Sequence, residues 1–247
     1  MQFTSLALLA LSALAIAAPS PVPANAAVSS TTQSVEMDSA IYSRLEKAFQ
    51  DAAVGKQTST VSARAGSDVR NDVINGQCND IILIFARGTY GSGNIGTGIG
   101  VAFADNLIAQ RPGKVAVQGV QPYAALISGY LAGGDEEGAN SMASLTAKAV
   151  SQCPNSKIIW GGYSQGAQVT HKAAARISTS LHSKIYAIAL FGDPNDGQAF
   201  PGALNGKVRT WCHSNDPICD GIPLPIDGHL TYEADAPAAA AWAASRV

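Results

Sequence analysis

Between residues 81 and 212 the chain alternates short, almost wholly apolar runs with longer segments of helical spacing. That alternation restricts the fold more than any other feature of the sequence. The runs are IILIFA at 81–86, KVAVQGV at 114–120, KIIWGG at 157–162, KIYAIALFG at 184–192 and KVRTWC at 207–212. The helical patterns fall at about 97–110, 137–151 and 165–178, and an Ala-rich helix closes the chain from about 235. A strand apolar along its whole length has no face to offer to water, so it belongs in a parallel sheet covered on both sides. Parallel neighbours need crossover helices, and the predicted fold class is α/β, a three-layer α/β/α sandwich with a mostly parallel central sheet. No internal repeat competes with this reading.

The termini and the charge balance narrow the setting. MQFTSLALLALSALAIAAPS opens with an apolar run ending in small residues and a proline, as an export signal does. The run is shorter than the roughly 20 apolar residues that a membrane span needs. We expect a signal peptide over 1–18, a propeptide or linker rich in Ser, Thr, Ala, Pro and Val over 19–66, and the catalytic domain over 67–247. Within the linker, Ile41, Leu45 and Phe49 recur every four residues, which predicts a short amphipathic helix able to mask the domain or to be clipped off. With 16 Lys and Arg against 18 Asp and Glu the chain has no basic face for nucleic acid and no acidic tail.

Four cysteines in an exported chain are expected to pair. Cys212 and Cys219 flank a short loop, whereas Cys78 and Cys153 each lie beside a predicted strand, which favours the pairs Cys78 with Cys153 and Cys212 with Cys219. No pair has the CxxC spacing common in structural zinc sites, and no metal is expected.

The chemistry centres on IIWGGYSQGAQ, where Gly162, Ser164 and Gly166 form a GxSxG motif between a predicted strand and a predicted helix. A sharp turn there needs glycine for close approach, exposes the Ser164 hydroxyl, and aims the first helix amides at a reacting carbonyl. A serine hydroxyl is a weak nucleophile without a base. Of four histidines, His171 lies on the helix after the turn, His182 in a polar turn and His213 beside Cys212. His229, in the loop DGIPLPIDGHL before the closing helix, stands where an α/β-hydrolase fold puts its base. The order Ser, Asp, His points to Asp216 in CHSNDPIC as the acid, with Asp193 in FGDPND as the rival. Oxyanion donors are expected from Gln165, directly after the nucleophile, and from Thr89 in ARGTYGSGNIG after the first strand.

These pieces resemble the cutinase family of small secreted, chiefly fungal, esterases. The likeness runs from Asn71 to the C-terminus through RNDVINGQC, ARG, GGYSQGA, CHSNDPIC and the GH before the final helix. It implies an α/β-hydrolase fold, with Ser164, Asp216 and His229 as triad, Thr89 and Gln165 as oxyanion hole, and the two bridges already favoured by position. It also implies an extracellular location and an insoluble or small-molecule ester as partner; the acyl-enzyme chemistry is expected to need no cofactor, and a monomer is expected because the cleft must meet a polymer surface. The loop departs from the family at Thr89-Tyr90-Gly91, where cutinases carry an acidic step, and this bears on substrate rather than mechanism. Two rivals stand beside ester hydrolysis of the cutinase kind. One is an acetylxylan esterase, a relative expected to carry more than four cysteines. The other is an inactive surface-binding protein, against which all three triad residue types are present. The interval from Ser164 to Asp216 leaves no room for a lid domain, so the site is expected to be open to solvent, flanked by the apolar stretches Ala124–Tyr130 and Ile222–Ile226.

Overall fold

The computed structural model describes residues 38–60 and 66–247. The expected signal peptide lies outside the described residues, as does the linker apart from 38–60 and Gly66. Five strands form one sheet: β1 (Ile81–Ala86), β2 (Val115–Gly119), β3 (Lys157–Tyr163), β4 (Ile185–Phe191) and β5 (Val208–Trp211). They lie in the order β2-β1-β3-β4-β5, and every neighbouring pair is parallel.

The apolar strands serve two cores at once. Along β1, Ile82, Ile84 and Ala86 enter one core while Ile81, Leu83 and Phe85 enter the other, as the two-residue period of a strand requires. The first core is closed by Met142 and Leu145 of α4 (Glu136–Gln152) and Val169 and Ala173 of α5 (Gln165–Ala174). The second is closed by Phe103 and Leu107 of α2 (Ile99–Gln110) and by Ala239 and Ala243 of α6 (Ala236–Ala244). An Ala-rich helix fits there because its small side chains let it lie close along α2.

Local signals explain the helix ends. The Asp135 side chain accepts from the Gly138 amide at 2.6 Å, with Glu136 and Glu137 in the first turn of α4. Helix α5 stops at Ala174, short of the expected 178, and Ser178 then caps a 3-10 turn over Thr179–Lys184. A five-residue helix, α3 (Ile127–Leu131), occupies the apolar stretch expected to be a cleft wall.

The outer edge of β2 is occupied by the segment leading into the domain. Gly119 donates to the Arg70 carbonyl at 2.9 Å, Val117 to Asp72 Oδ2 at 2.7 Å, and Asp72 to the Val117 carbonyl at 3.2 Å. Ile74 donates to Gln118 Oε1 at 3.0 Å.

The N-terminal helix α1 (Ser39–Thr60) packs on this domain through Tyr42 and Phe49, which meet Ile127, Tyr130 and Ile218. Its buried line is therefore rotated from the expected one: Phe49 is buried, but Ile41 is 51% exposed.

Both predicted disulfides form. Cys78–Cys153, separated by 75 residues, ties the approach to β1 to the end of α4, and Cys212–Cys219 closes the loop after β5. Replacing Cys78 and Cys153 by serine together should cost about 2–5 kcal/mol of stability, read as a fall in calorimetric Tm, while esterase activity of the folded protein at 25 °C stays unchanged.

Candidate active site

The site lies at the carboxyl ends of β1 and β3, where the strand order reverses and adjacent connections run to opposite sides of the sheet. Ser164 follows β3 directly and caps α5. Its φ of 56° is a conformation that a residue with a side chain seldom adopts, and it turns the side chain out of the ladder. The turn is held on both sides. The Ser164 amide donates to the Phe191 carbonyl at 2.9 Å, and Gly166 passes so close to the Ala86 carbonyl of β1 that a Cβ there would overlap it. Ser164 Oγ is buried and, among the described residues, has no hydrogen-bond partner. As the first residues of α5, Gln165 and Gly166 carry amides with no preceding helical turn to bond.

The histidine expected to act as base comes from the loop after β5. His229 lies in a 3-10 turn, Asp227–Leu230, with its amide bonded to the Ile226 carbonyl at 2.8 Å. Its Nδ1 is 2.8 Å from Asp216 Oδ2. A carboxylate only accepts, so a ring proton sits on Nδ1. Gly192, with φ of 52°, makes room for this ring: a Cβ there would stand 2.7 Å from His229 Nδ1. The ring stacks on Tyr163 at 5.0 Å between centroids, and the Tyr163 hydroxyl donates to the His229 carbonyl at 2.7 Å.

Asp216 is buried, which by itself opposes ionisation. Three donors outweigh that: His229 Nδ1, the Tyr232 hydroxyl at 2.7 Å and the Ile218 amide at 3.0 Å hold the carboxyl below its ordinary range. The rival Asp193 is committed elsewhere, 2.8 Å from Nε2 of His171. The aspartate and histidine selected from the sequence are therefore brought together, and the rival Asp193 pairs with His171 instead.

Thr89 reaches the same cavity through a second network. Gln165 Nε2 donates to Thr89 Oγ1 at 3.0 Å and to the Leu126 carbonyl at 2.8 Å. Tyr123 lies 3.0 Å from Gln165 Oε1, and burial pushes its phenol pKa far up, so it remains a donor. Arg87 holds the loop itself, bonding the carbonyls of Gly91 at 2.8 Å and Tyr123 at 2.7 Å.

One expectation fails. Ser164 and His229 are each only 2% exposed, so the site is not open. No domain is inserted between Ser164 and Asp216; the cover is α1, whose Phe49, Ala52 and Ala53 line one cavity with Thr89, Ser164 and His229. Phe49 packs on Tyr130 at 4.7 Å, and Tyr90 Oη donates to Glu46 Oε1 at 3.0 Å. Tyr90, the residue that breaks the family pattern, is thus the one that holds the cover. Tyr163 and Tyr232 were not singled out in the sequence. Both flank a chosen catalytic residue, Tyr163 one before Ser164 and Tyr232 three after His229, and that adjacency was the available signal.

The Cutinase family model matches residues 77–247. Cutinase CUT1 of Coprinopsis cinerea is 43% identical over 170 residues, which are 69% of this chain and 85% of that protein. The solved structure of Trichoderma reesei cutinase in complex with a C11Y4 phosphonate inhibitor superposes with a TM-score of 0.72 at 34% identity, covering 85% of this chain and 93% of that one. The catalytic core domain of an acetyl xylan esterase from Trichoderma reesei shares the fold, with a TM-score of 0.56 at 20% identity over 69% of this chain and 100% of that one. A family model that spans most of the chain, together with relatives at this identity, establishes that the chain belongs to the cutinase family, carboxylic ester hydrolases.

Proposed function

We propose that the chain is an exported, monomeric cutinase that cleaves ester bonds of cutin and of short-to-medium acyl esters through an acyl-enzyme on Ser164. One observation carries the reading: a buried serine hydroxyl on a strained turn shares its cavity with a histidine whose Nδ1 is bonded to an ionised aspartate. Ser164 Oγ attacks the ester carbonyl carbon and gives its proton to His229 Nε2. Asp216 stabilises the imidazolium that forms. The oxyanion is held by the Gln165 amide and by Thr89. Because Gln165 Nε2 already donates to Thr89 Oγ1, the Thr89 hydroxyl proton is free to turn toward the developing charge. Collapse expels the alcohol, protonated by His229. A water that His229 deprotonates then attacks the acyl carbon, releasing the acid and restoring Ser164. The sequence needs no metal or cofactor.

Leu126, Ile222, Leu224 and Ile226 stand exposed beside the loops that carry the site, a surface suited to an acyl polymer. The apolar leader and the two disulfides support export. The alternative, polysaccharide deacetylation, draws on the same elbow and on Tyr90 as a polar contact, but that hydroxyl is engaged by Glu46 while α1 is in place. A strong preference for p-nitrophenyl acetate over butyrate would favour the alternative.

In this reading the 19–66 segment carries the cover, and substrate enters when α1 leaves. Ser164→Ala should lower p-nitrophenyl butyrate hydrolysis by at least about 10⁴-fold and abolish labelling by a serine-directed phosphonate. An unlabelled native protein, or an unchanged rate in the variant, overturns the mechanism. Thr89→Val, which keeps the shape and removes the hydroxyl, should reduce kcat about 100- to 1000-fold with KM nearly constant. A protein beginning at Ser67 should show kcat/KM on p-nitrophenyl butyrate about tenfold above one beginning at Asp38, as expected when a cover is closed ten times in eleven.

A further inference from the structure

His213 is not used by the proposed mechanism, yet it joins the loops that carry its acid and base. It follows Cys212 in the acid loop. Its carbonyl accepts from the Asp216 amide at 2.9 Å, and its own amide donates to the Tyr232 hydroxyl at 3.0 Å, the hydroxyl that in turn donates to Asp216. Its ring lies flat on Tyr232, 4.2 Å between centroids and 23° apart. Nδ1 is 2.9 Å from the carbonyl of Gly228, the residue before His229, and Nε2 is 2.7 Å from Asp235 Oδ2 at the start of α6. Thr231 Oγ1, 3.2 Å from Nδ1, already donates to the same Gly228 carbonyl. A carbonyl and a carboxylate have only lone pairs to offer, so each contact is held by an N–H of the ring nitrogen that faces it.

We propose that His213 is a positioning residue: by gripping the Gly228 carbonyl from one nitrogen and Asp235 from the other, it fixes the peptide that carries His229 at hydrogen-bonding distance from Asp216. Tyr163 holds the next carbonyl, that of His229, so two successive peptide oxygens around the base are each held by an aromatic side chain. The His213–Asp235 contact is about one quarter exposed on each side, where charge is screened, so the grip acts through geometry rather than through charge at the reacting atoms. The proposal rests on Asp216 and His229 being acid and base.

The test uses the full-length secreted protein and His213→Phe, which retains the stack on Tyr232 and removes both N–H donors. Misplacing a catalytic group by a fraction of a turn costs rate rather than binding, so kcat on p-nitrophenyl butyrate should fall about 10- to 100-fold with KM unchanged. The rate of phosphonate labelling at Ser164 should fall by the same factor. Asp235→Asn, which keeps an acceptor and loses only the charge, should fall less than about fivefold. The His229 Nδ1 proton, followed by NMR, should lose its downfield position in His213→Phe and keep it in Asp235→Asn; this readout remains if turnover is too slow to follow. Unchanged kcat, labelling rate and proton signal overturn the proposal, as does a lowered Tm with full kcat well below the transition, which makes His213 a stability residue alone. If the wild-type protein takes up no phosphonate at Ser164, the triad assignment fails and this proposal with it, whatever the variants do.

Discussion

The passage of Gly166 against the Ala86 carbonyl governs how the rest of the site is arranged. With any side chain at 166, α5 would have to back away from β1, and the amides at its start would move off the loop that carries Thr89. The same close approach places Ser164 at a φ of 56° and lets its amide finish the ladder to Phe191. Strain at one residue is tolerated because a buried parallel sheet on one side and a helix packed into a core on the other leave it no alternative.

Around that point the polar atoms form closed sets. Asp216 accepts from His229, Tyr232 and Ile218; Gln165 donates to Thr89 and Leu126 and accepts from Tyr123. Buried polar groups are costly when unpaired, and among the described residues the Ser164 hydroxyl, with Ser92 Oγ in the same cavity, stands outside these sets. A network without slack does not reorganise as charge develops, which suits the oxyanion role proposed for it.

How much of this was legible in the sequence depends on the range over which each signal acts. The strands could be read because a run such as IILIFA has no polar face to expose, and Ser164 because its glycines sit between a strand and a helix. The contact of Asp216 with His229 could be expected from chain order and loop composition, and the bridges from where each cysteine falls. The cover could not be read. The four-residue spacing of Ile41, Leu45 and Phe49 did predict a helix, but which line of it is buried is decided by Tyr130, Ile127 and Ile218, which lie far along the chain. His213 was passed over for the same reason: a residue beside a cysteine has no visible role until the fold brings Gly228 and Asp235 to its two nitrogens.

The strapping of β2 by residues 70–74 bears on how such a protein survives at high concentration on a solid surface. A bare outer strand presents a row of unpaired amides and carbonyls that a second chain can extend, and that is how folded sheets become seeds for aggregates. Here Arg70 and Asp72 already occupy the Val117 and Gly119 groups of that row, in part through a carboxylate that no incoming backbone can replace in kind. The opposite edge, β5, is only four residues long. Molecules crowded side by side thus find no continuous edge on which to build, and crowding at an interface does not convert the sheet into a template.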